Sequence, residues 1–255
     1  PRLPLPRGVL LALGVLGAGL ALNLLAWHQA GWVLPLTGAL LLPPLLLGLH
    51  LAQAYRHTAG ARRRLAQLFG QYVPPELVDE MSLQPERYTM TSRNAELTVL
   101  FADVSGFTAL AEHMPPEELG AMMNLLFSHL TDEVRAHRGT LDKYIGDSVM
   151  AFWGAPLDDP EHARHAVDAA QAMLARLPAI HAELARHGWP ALQIHIGVNT
   201  GTVVVGDMGS RHRRAYTVMG DAVNMAARLQ GFCSRYGLGL VVGDATRSAA
   251  QAQGD

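Results

Sequence analysis

Two aspartates carry the first chemical signal in this chain. Asp103 closes an apolar run and stands three residues before Gly106, while Asp147 directly follows Gly146. Carboxylates brought together repel one another unless a cation sits between them. Oxygen-only ligands suit Mg²⁺ or Mn²⁺, which take one or two carboxylates and leave other positions to phosphate oxygens and water. Behind Asp103 come Val104, Ser105, Gly106, Phe107 and Thr108, a turn leading toward a helix. Backbone N–H groups at such a turn can hold polyphosphate oxygens. Together these features read as a two-metal phosphoryl site. Spacing alone leaves aspartates that merely cap turns as an equal alternative.

Such a site needs both aspartates at the end of one sheet. Residues 97–102 form a β-branched and apolar run that reads as a buried strand. Residues 140–145 and 148–153 read as a hairpin joined at Gly146 and Asp147. Pro115, Pro116, Glu117 and Glu118 open a helix whose apolar face carries Leu119, Met122, Met123, Leu126, Leu130 and Val134. A second helix is predicted over 161–187 and a third over 222–236. Strands are predicted over 193–198, 203–206 and 238–242, the first two flanking Asn199, Thr200 and Gly201. The order βαββαβ is ferredoxin-like, an α+β arrangement. In it the first strand and the central hairpin are neighbours, so Asp103 and Asp147 can meet.

The chain is 49% hydrophobic and 16% charged, against roughly 25% charged in an average domain. The deficit is local, because residues 8–55 contain no Asp, Glu, Lys or Arg. Two apolar runs, about 8–28 and 32–54, are each long enough to span a bilayer as a helix. Trp27 and Trp32 flank the short turn between them, where interfacial aromatics belong. Arg2 and Arg7 precede the first run, and Arg56, Arg62, Arg63 and Arg64 follow the second. The positive-inside bias then puts both ends in the cytoplasm. Residues 1–55 are therefore expected to be a transmembrane hairpin, 56–91 a helical cytoplasmic connector, and 92–255 the catalytic domain. The net charge of −2 announces no nucleic-acid partner. Cys233 is the only cysteine, which excludes an intrachain disulfide. Lys143 is the only lysine.

Four blocks carry a family resemblance: FADVSGFT (101–108), DKYIGDSVMAFWG (142–154), IGVNTGTVVVG (196–206) and YTVMGDAVNMAARL (216–229). In order and spacing they resemble the catalytic blocks of class III adenylyl and guanylyl cyclases. The apolar runs followed by LFGQYVPP (68–75) resemble bacterial membrane-bound members with an upstream CHASE-type sensor. The resemblance implies that Asp103 and Asp147, with the Val104 carbonyl, hold two Mg²⁺ or Mn²⁺ ions. It implies that Gly106, Phe107 and Thr108 hold the terminal phosphates. Lys143 and Thr217 match the positions that read adenine, with Thr217 either donating to the base or accepting from its amino group. Asn224 matches the residue that orients the ribose, and Arg228 the one that stabilises charge on the α-phosphate. Arg213 is a candidate phosphate contact, in competition with Arg211 and Arg214.

The activity implied is conversion of ATP to cyclic AMP and pyrophosphate at a homodimer interface, in a multi-pass protein of the bacterial inner membrane with its catalytic domain in the cytoplasm. Guanylate cyclase activity and a catalytically inactive nucleotide-sensing module are the alternatives. The family continues into further strands bearing a phosphate-binding lysine, and the chain begins at Pro1, so both ends are expected to be cut from a longer protein.

Overall fold

Val, Leu and Phe dominate residues 97–104, and in the computed structural model they form the last eight of the twelve residues of a long central strand. The structure describes residues 5–30, 45, 48–49, 66, 68–70, 72, 75–83, 88 and 90–252. It divides into two units, 1–63 and 64–255. The first unit contains α1 (Leu5–Ala30). The second runs α2 (Pro75–Met81), β1 (Arg93–Val104), α3 (Phe107–His113), α4 (Pro116–Ala136), β2 (Thr140–Ile145) and β3 (Ser148–Trp153). It continues through α5 (His162–Arg186), β4 (Ile194–Gly209), β5 (Arg214–Met219), α6 (Asp221–Tyr236), β6 (Leu240–Val242) and α7 (Asp244–Ala252).

The sheet order is β2-β3-β1-β4-β5, with β6 added parallel to β4 and every other pair antiparallel. The predicted βαββαβ core is present, and β1 lies between β3 and β4. Alternate β1 residues feed two apolar layers, as the period of a strand requires. Leu100, Ala102 and Val104 pack with Met122, Leu126 and Leu130 of α4 and Met173 of α5. Leu97 and Val99 pack on the opposite face with Val203, Tyr216 and Val218.

That second face is closed partly by the segment read as a connector. Phe69 and Met81 are fully buried there, together with Tyr72, Leu77 and Val78. Leu68, Phe69, Tyr72, Leu77, Val78 and Met81 thus belong to the packing of the second unit. The reason is simple: with apolar residues on both sides of β1, each face needs a cover.

Three elements differ from expectation. β4 is one strand of 16 residues, not two strands around a turn. Asn199, Thr200 and Gly201 stay paired with Val99, Thr98 and Leu97 of β1 throughout. β5 and α7 were not foreseen. β5 buries Tyr216, Thr217 and Val218 in succession, so both of its faces are covered there, and exposes Arg214 and Met219 at its ends. α7 is mostly polar and is anchored by Thr246, whose hydroxyl accepts from Thr200 at 2.9 Å in the buried interior.

The expected transmembrane hairpin is not supported by the fold. Among the described residues no helix is long and apolar enough to cross a membrane. The first apolar run lies in α1, whose described side chains fall within 14–29. Those side chains are mostly exposed, with Leu20, Leu22, Leu24, Leu25 and Trp27 among them. The second run, 32–54, falls almost wholly outside the described residues.

Candidate active site

The ends of β1 and of the β2–β3 hairpin bring the two aspartates together. Asp103 is next to last in β1 and pairs with His195 of β4. Asp147 sits in the turn after Gly146, whose φ of 62° is the left-handed conformation that a tight hairpin needs. Burial pushes the Asp147 carboxyl above the usual carboxylate range. Its own backbone N–H pulls it back, and the Asp103 carboxylate beside it pushes it up again. Two neighbouring carboxylates that resist joint ionisation fit a divalent cation. Among the described residues no group of three or more His, Cys, Asp or Glu side chains has metal-holding geometry. A cation here would rest on two carboxylates and neutral oxygens, the donor set of Mg²⁺ or Mn²⁺.

Asp103 is held from two sides by residues that the sequence reading missed. Ser148 Oγ donates to its Oδ1, and Gln230 Nε2 donates to its Oδ2 at 3.3 Å. After Asp103, Ser105 N–H donates to Gln193 O at 2.9 Å, and Gly106 turns the chain at φ 72° into α3. No side chain caps α3, so the first N–H groups, those of Phe107 and Thr108 among them, lack a capping acceptor.

The remaining predicted residues form two other groups. Lys143 lies on β2 and Thr217 on β5, the two edges of the five-strand path. In a flat sheet four inter-strand gaps would hold them about 19 Å apart. Yet Lys143 Nζ donates to Thr217 Oγ1 at 3.0 Å. The sheet therefore curls until its edges meet.

Tyr72 fills the seam. Its carbonyl accepts from Leu141 N–H at 2.9 Å, and its hydroxyl oxygen accepts from Tyr216 N–H at 3.3 Å. Thr217 Oγ1 in turn donates to Asp142 Oδ2 at 2.6 Å. A cavity of about 550 Å³ opens at this seam, lined by Tyr72, Asp142, Lys143 and Ala215. Arg213 and Arg214 line it too. Arg214 is paired with Asp207 at 3.2 Å.

Asn224 and Arg228 are exposed on α6. Four residues apart, they share one face of that helix. Gln230 of the same helix faces Asp103, and Arg228 lies two residues before it. At 3.6 residues per turn Arg228 points roughly 200° away from Gln230. The arrangement within one chain therefore does not bring Asn224 and Arg228 to Asp103 and Asp147.

α6 owes its position to glycines in β4. A Cβ on Gly197 would meet Ala226 O and Gln230 N at 2.3 Å, and one on Gly201 would meet Ala222 Cβ at 2.9 Å. Four residues of strand span about 13 Å, and the eight helical residues from Ala222 to Gln230 about 12 Å. The two glycines are thus a matched seat for the two ends of that stretch.

The sequence model of the adenylate and guanylate cyclase catalytic domain matches residues 89–238. Adenylate cyclase 1 of Rhizobium meliloti (strain 1021) is 38% identical over 177 residues, covering 69% of this chain and 27% of that protein. An uncharacterized protein of Mycobacterium tuberculosis (strain H37Rv) is 34% identical over 191 residues, covering 74% of this chain and 34% of that protein. The chain thus spans about a quarter to a third of the length of these relatives. Among solved structures, the adenylyl cyclase CyaB from P. aeruginosa is 31% identical with a TM-score of 0.59, covering 64% of this chain and 83% of that one. The guanylyl cyclase Cya2 is 32% identical with a TM-score of 0.59, covering 62% of this chain and 80% of that one.

Proposed function

The chain belongs to the family of adenylate and guanylate cyclase catalytic domains, and we propose that within it this protein converts ATP to 3′,5′-cyclic AMP and pyrophosphate. The observation that carries the choice of ATP is the pairing of Lys143 with Thr217 at 3.0 Å. A lysine has only donors, which suits the ring-nitrogen acceptor of adenine and not the N–H that guanine has there.

In this reading Asp103, Asp147 and the Val104 carbonyl hold two Mg²⁺ or Mn²⁺ ions. When bound, the ions supply the charge that eases loss of the ribose 3′-hydroxyl proton and neutralises the departing pyrophosphate. Ser148 and Gln230 keep Asp103 aimed at that position. The N–H groups of Gly106, Phe107 and Thr108 hold the terminal phosphates, and Arg213 supplies a further cation toward them. Lys143 and Thr217 fix the base, and Asn224 orients the ribose for in-line attack on the α-phosphorus. Arg228 then offers the fixed fork of a guanidinium to the charge that develops there.

The site is proposed to be shared between two chains. What supports this is the turn of α6: the face that carries Asn224 and Arg228 is directed away from the chain's own Asp103. A homodimer would unite one chain's aspartates with the other's base-reading, Asn224 and Arg228 groups. Membrane anchorage in a bacterial inner membrane, with the catalytic domain in the cytoplasm, is proposed from the two uncharged runs and their flanking arginines. The exposed leucines of α1 agree with it.

A guanylate cyclase is the second reading, favoured by an equal likeness to Cya2. The test is chromatographic analysis of products from ATP and GTP, offered separately with Mn²⁺. Cyclic AMP is the expected main product, and preferential cyclic GMP formation would overturn the choice.

A further inference from the structure

We infer that Asp142 is the positioning residue that fixes which purine the site accepts: its carboxylate takes the Thr217 hydroxyl proton, so Thr217 can only accept from the base. The inference rests on the cyclase reading given above and concerns the direction of one hydrogen bond within it.

A hydroxyl has one proton to donate and two lone pairs. Thr217 Oγ1 gives its proton to Asp142 Oδ2 at 2.6 Å and accepts from Lys143 Nζ at 3.0 Å. One lone pair is left. The remaining capacity of Thr217 therefore pairs with an N–H donor and repels a carbonyl oxygen. Adenine carries an amino group at position 6, and guanine a carbonyl there. Lys143 donates to the neighbouring ring nitrogen, which is an acceptor in adenine and an N–H in guanine. Guanine would thus leave two groups of the site facing groups of the same kind. A site built around specific hydrogen bonds rejects the wrong partner far more strongly than a shape-based pocket.

Asp142 reaches this position through a bulge. The β2–β3 register slips between Leu141 and Lys143, which re-aims the side chain at the slip. In a regular strand Asp142 and Lys143 would face opposite sides; here Lys143 Nζ lies 3.2 Å from Asp142 Oδ1. The Asp142 side chain is fully buried. Its Oδ1 has the ammonium as an ion-pair neighbour but receives no aligned hydrogen bond. A buried carboxylate with an oxygen left so poorly served is costly to keep for packing alone. Its two side-chain partners, Thr217 and Lys143, are both base-reading residues, which gives the charge a task.

The experiment measures kcat/KM for ATP and GTP on the full chain with Mn²⁺, for the wild type, Asp142→Asn and Thr217→Val. Asparagine keeps the shape but offers Thr217 both a donor and an acceptor, so the hydroxyl is free to turn. The GTP-to-ATP ratio is expected to rise at least tenfold in D142N. A role in packing alone would lower both substrates together and leave the ratio where it was; a ratio within twofold of wild type overturns the inference. Thr217→Val keeps the reading testable if D142N does not fold. Removing an acceptor raises the ratio, whereas a fall would mean that Thr217 donates to the base. Competition of ATP and GTP for a fluorescent ATP analogue gives the same ratio without turnover. Wild-type preference for GTP would count against the cyclic AMP reading and this one together. Wild-type preference for ATP with an unmoved ratio in D142N would count against this one alone.

Discussion

Gly197→Ala tests whether the closeness of α6 to the sheet is what aligns the site. The glycine sits mid-strand on β4, opposite Phe101 of β1. A methyl group there would stand 2.3 Å from Ala226 O and Gln230 N and 2.8 Å from Gln230 Cα. These are backbone atoms of a helix, so no side chain can swing aside. Ordinary contact lies near 3.5 Å, and the helix must therefore retreat by about 1 Å. Overpacking of this kind costs about 1–3 kcal/mol. The retreat also lifts Gln230 from Asp103, an interaction at 3.3 Å with little slack, and shifts Asn224 and Arg228 with it. Misplacement by about 1 Å costs on the order of 100-fold in rate.

The assay pairs cyclic AMP formation at saturating Mn²⁺ with a urea denaturation midpoint. Gly120→Ala is the matched control. Gly120 is an exposed residue inside α4 with nothing within 4 Å of the added methyl group, so the same change should stabilise by up to about 1 kcal/mol and leave activity alone. The reasoning is refuted if G197A keeps activity within twofold and its midpoint unchanged.

Asp103→Ala and Arg228→Ala should each be inactive alone and regain activity when mixed, because a mixed dimer rebuilds one complete site; no recovery with mixed dimers confirmed by cross-linking would refute the shared site. His162 is held below its ordinary pKa by burial, its Nδ1 hydrogen bonded to Thr98 Oγ1 at 2.8 Å. The unfolded chain then binds the extra proton first, so stability should be intact above about pH 6.5 and fall below it. Urea midpoints at two pH values check this, and His162→Gln should flatten the difference. Tyr72→Phe removes the acceptor for Tyr216 N–H and should cost about 1 kcal/mol, read by the same midpoint.

The elements around the site were largely legible because their signals are local. The β2–β3 hairpin follows from two short segments joined at the turn dipeptide Gly146 and Asp147, and α4 from a three-and-four spacing of apolar residues. What was illegible depends on partners distant in sequence. Asn199, Thr200 and Gly201 look like a turn in isolation, yet Gly201 is there to admit Ala222 of α6. α7 has little apolar surface, and its buried anchor is one hydroxyl in a chain running from His162 through Thr98 and Thr200 to Thr246. The aspartates were visible as strand-end carboxylates, but Ser148 and Gln230 are ordinary residue types whose value lies only in where their donors fall. Asp142 was hidden in plain sight beside Lys143. Alternation along a strand assigns the two residues to opposite faces, and only the bulge unites them.

The closing of the sheet on itself has a mechanical consequence. Lys143 and Thr217 sit on edge strands, and the hydrogen-bond ladder alone gives those strands no reason to meet. Tyr72 supplies one, since its carbonyl binds β2 at Leu141 and its hydroxyl binds β5 at Tyr216. Leu141 and Tyr216 immediately precede Asp142 and Thr217 in sequence. Phe69, stacked edge-on against Tyr216 with centroids 5.2 Å apart, fixes the same seam. The residues that read the base are therefore no more rigid than the segment wedged between their strands. Any displacement of Phe69 or Tyr72 acts on the 2.6 Å and 3.0 Å contacts of Thr217 before it acts on Asp103 or Asp147, because the aspartates are anchored on the central strand and its hairpin partner. A perturbation at this seam should thus change KM and purine preference more than metal dependence, whereas one at Gly197 should change kcat.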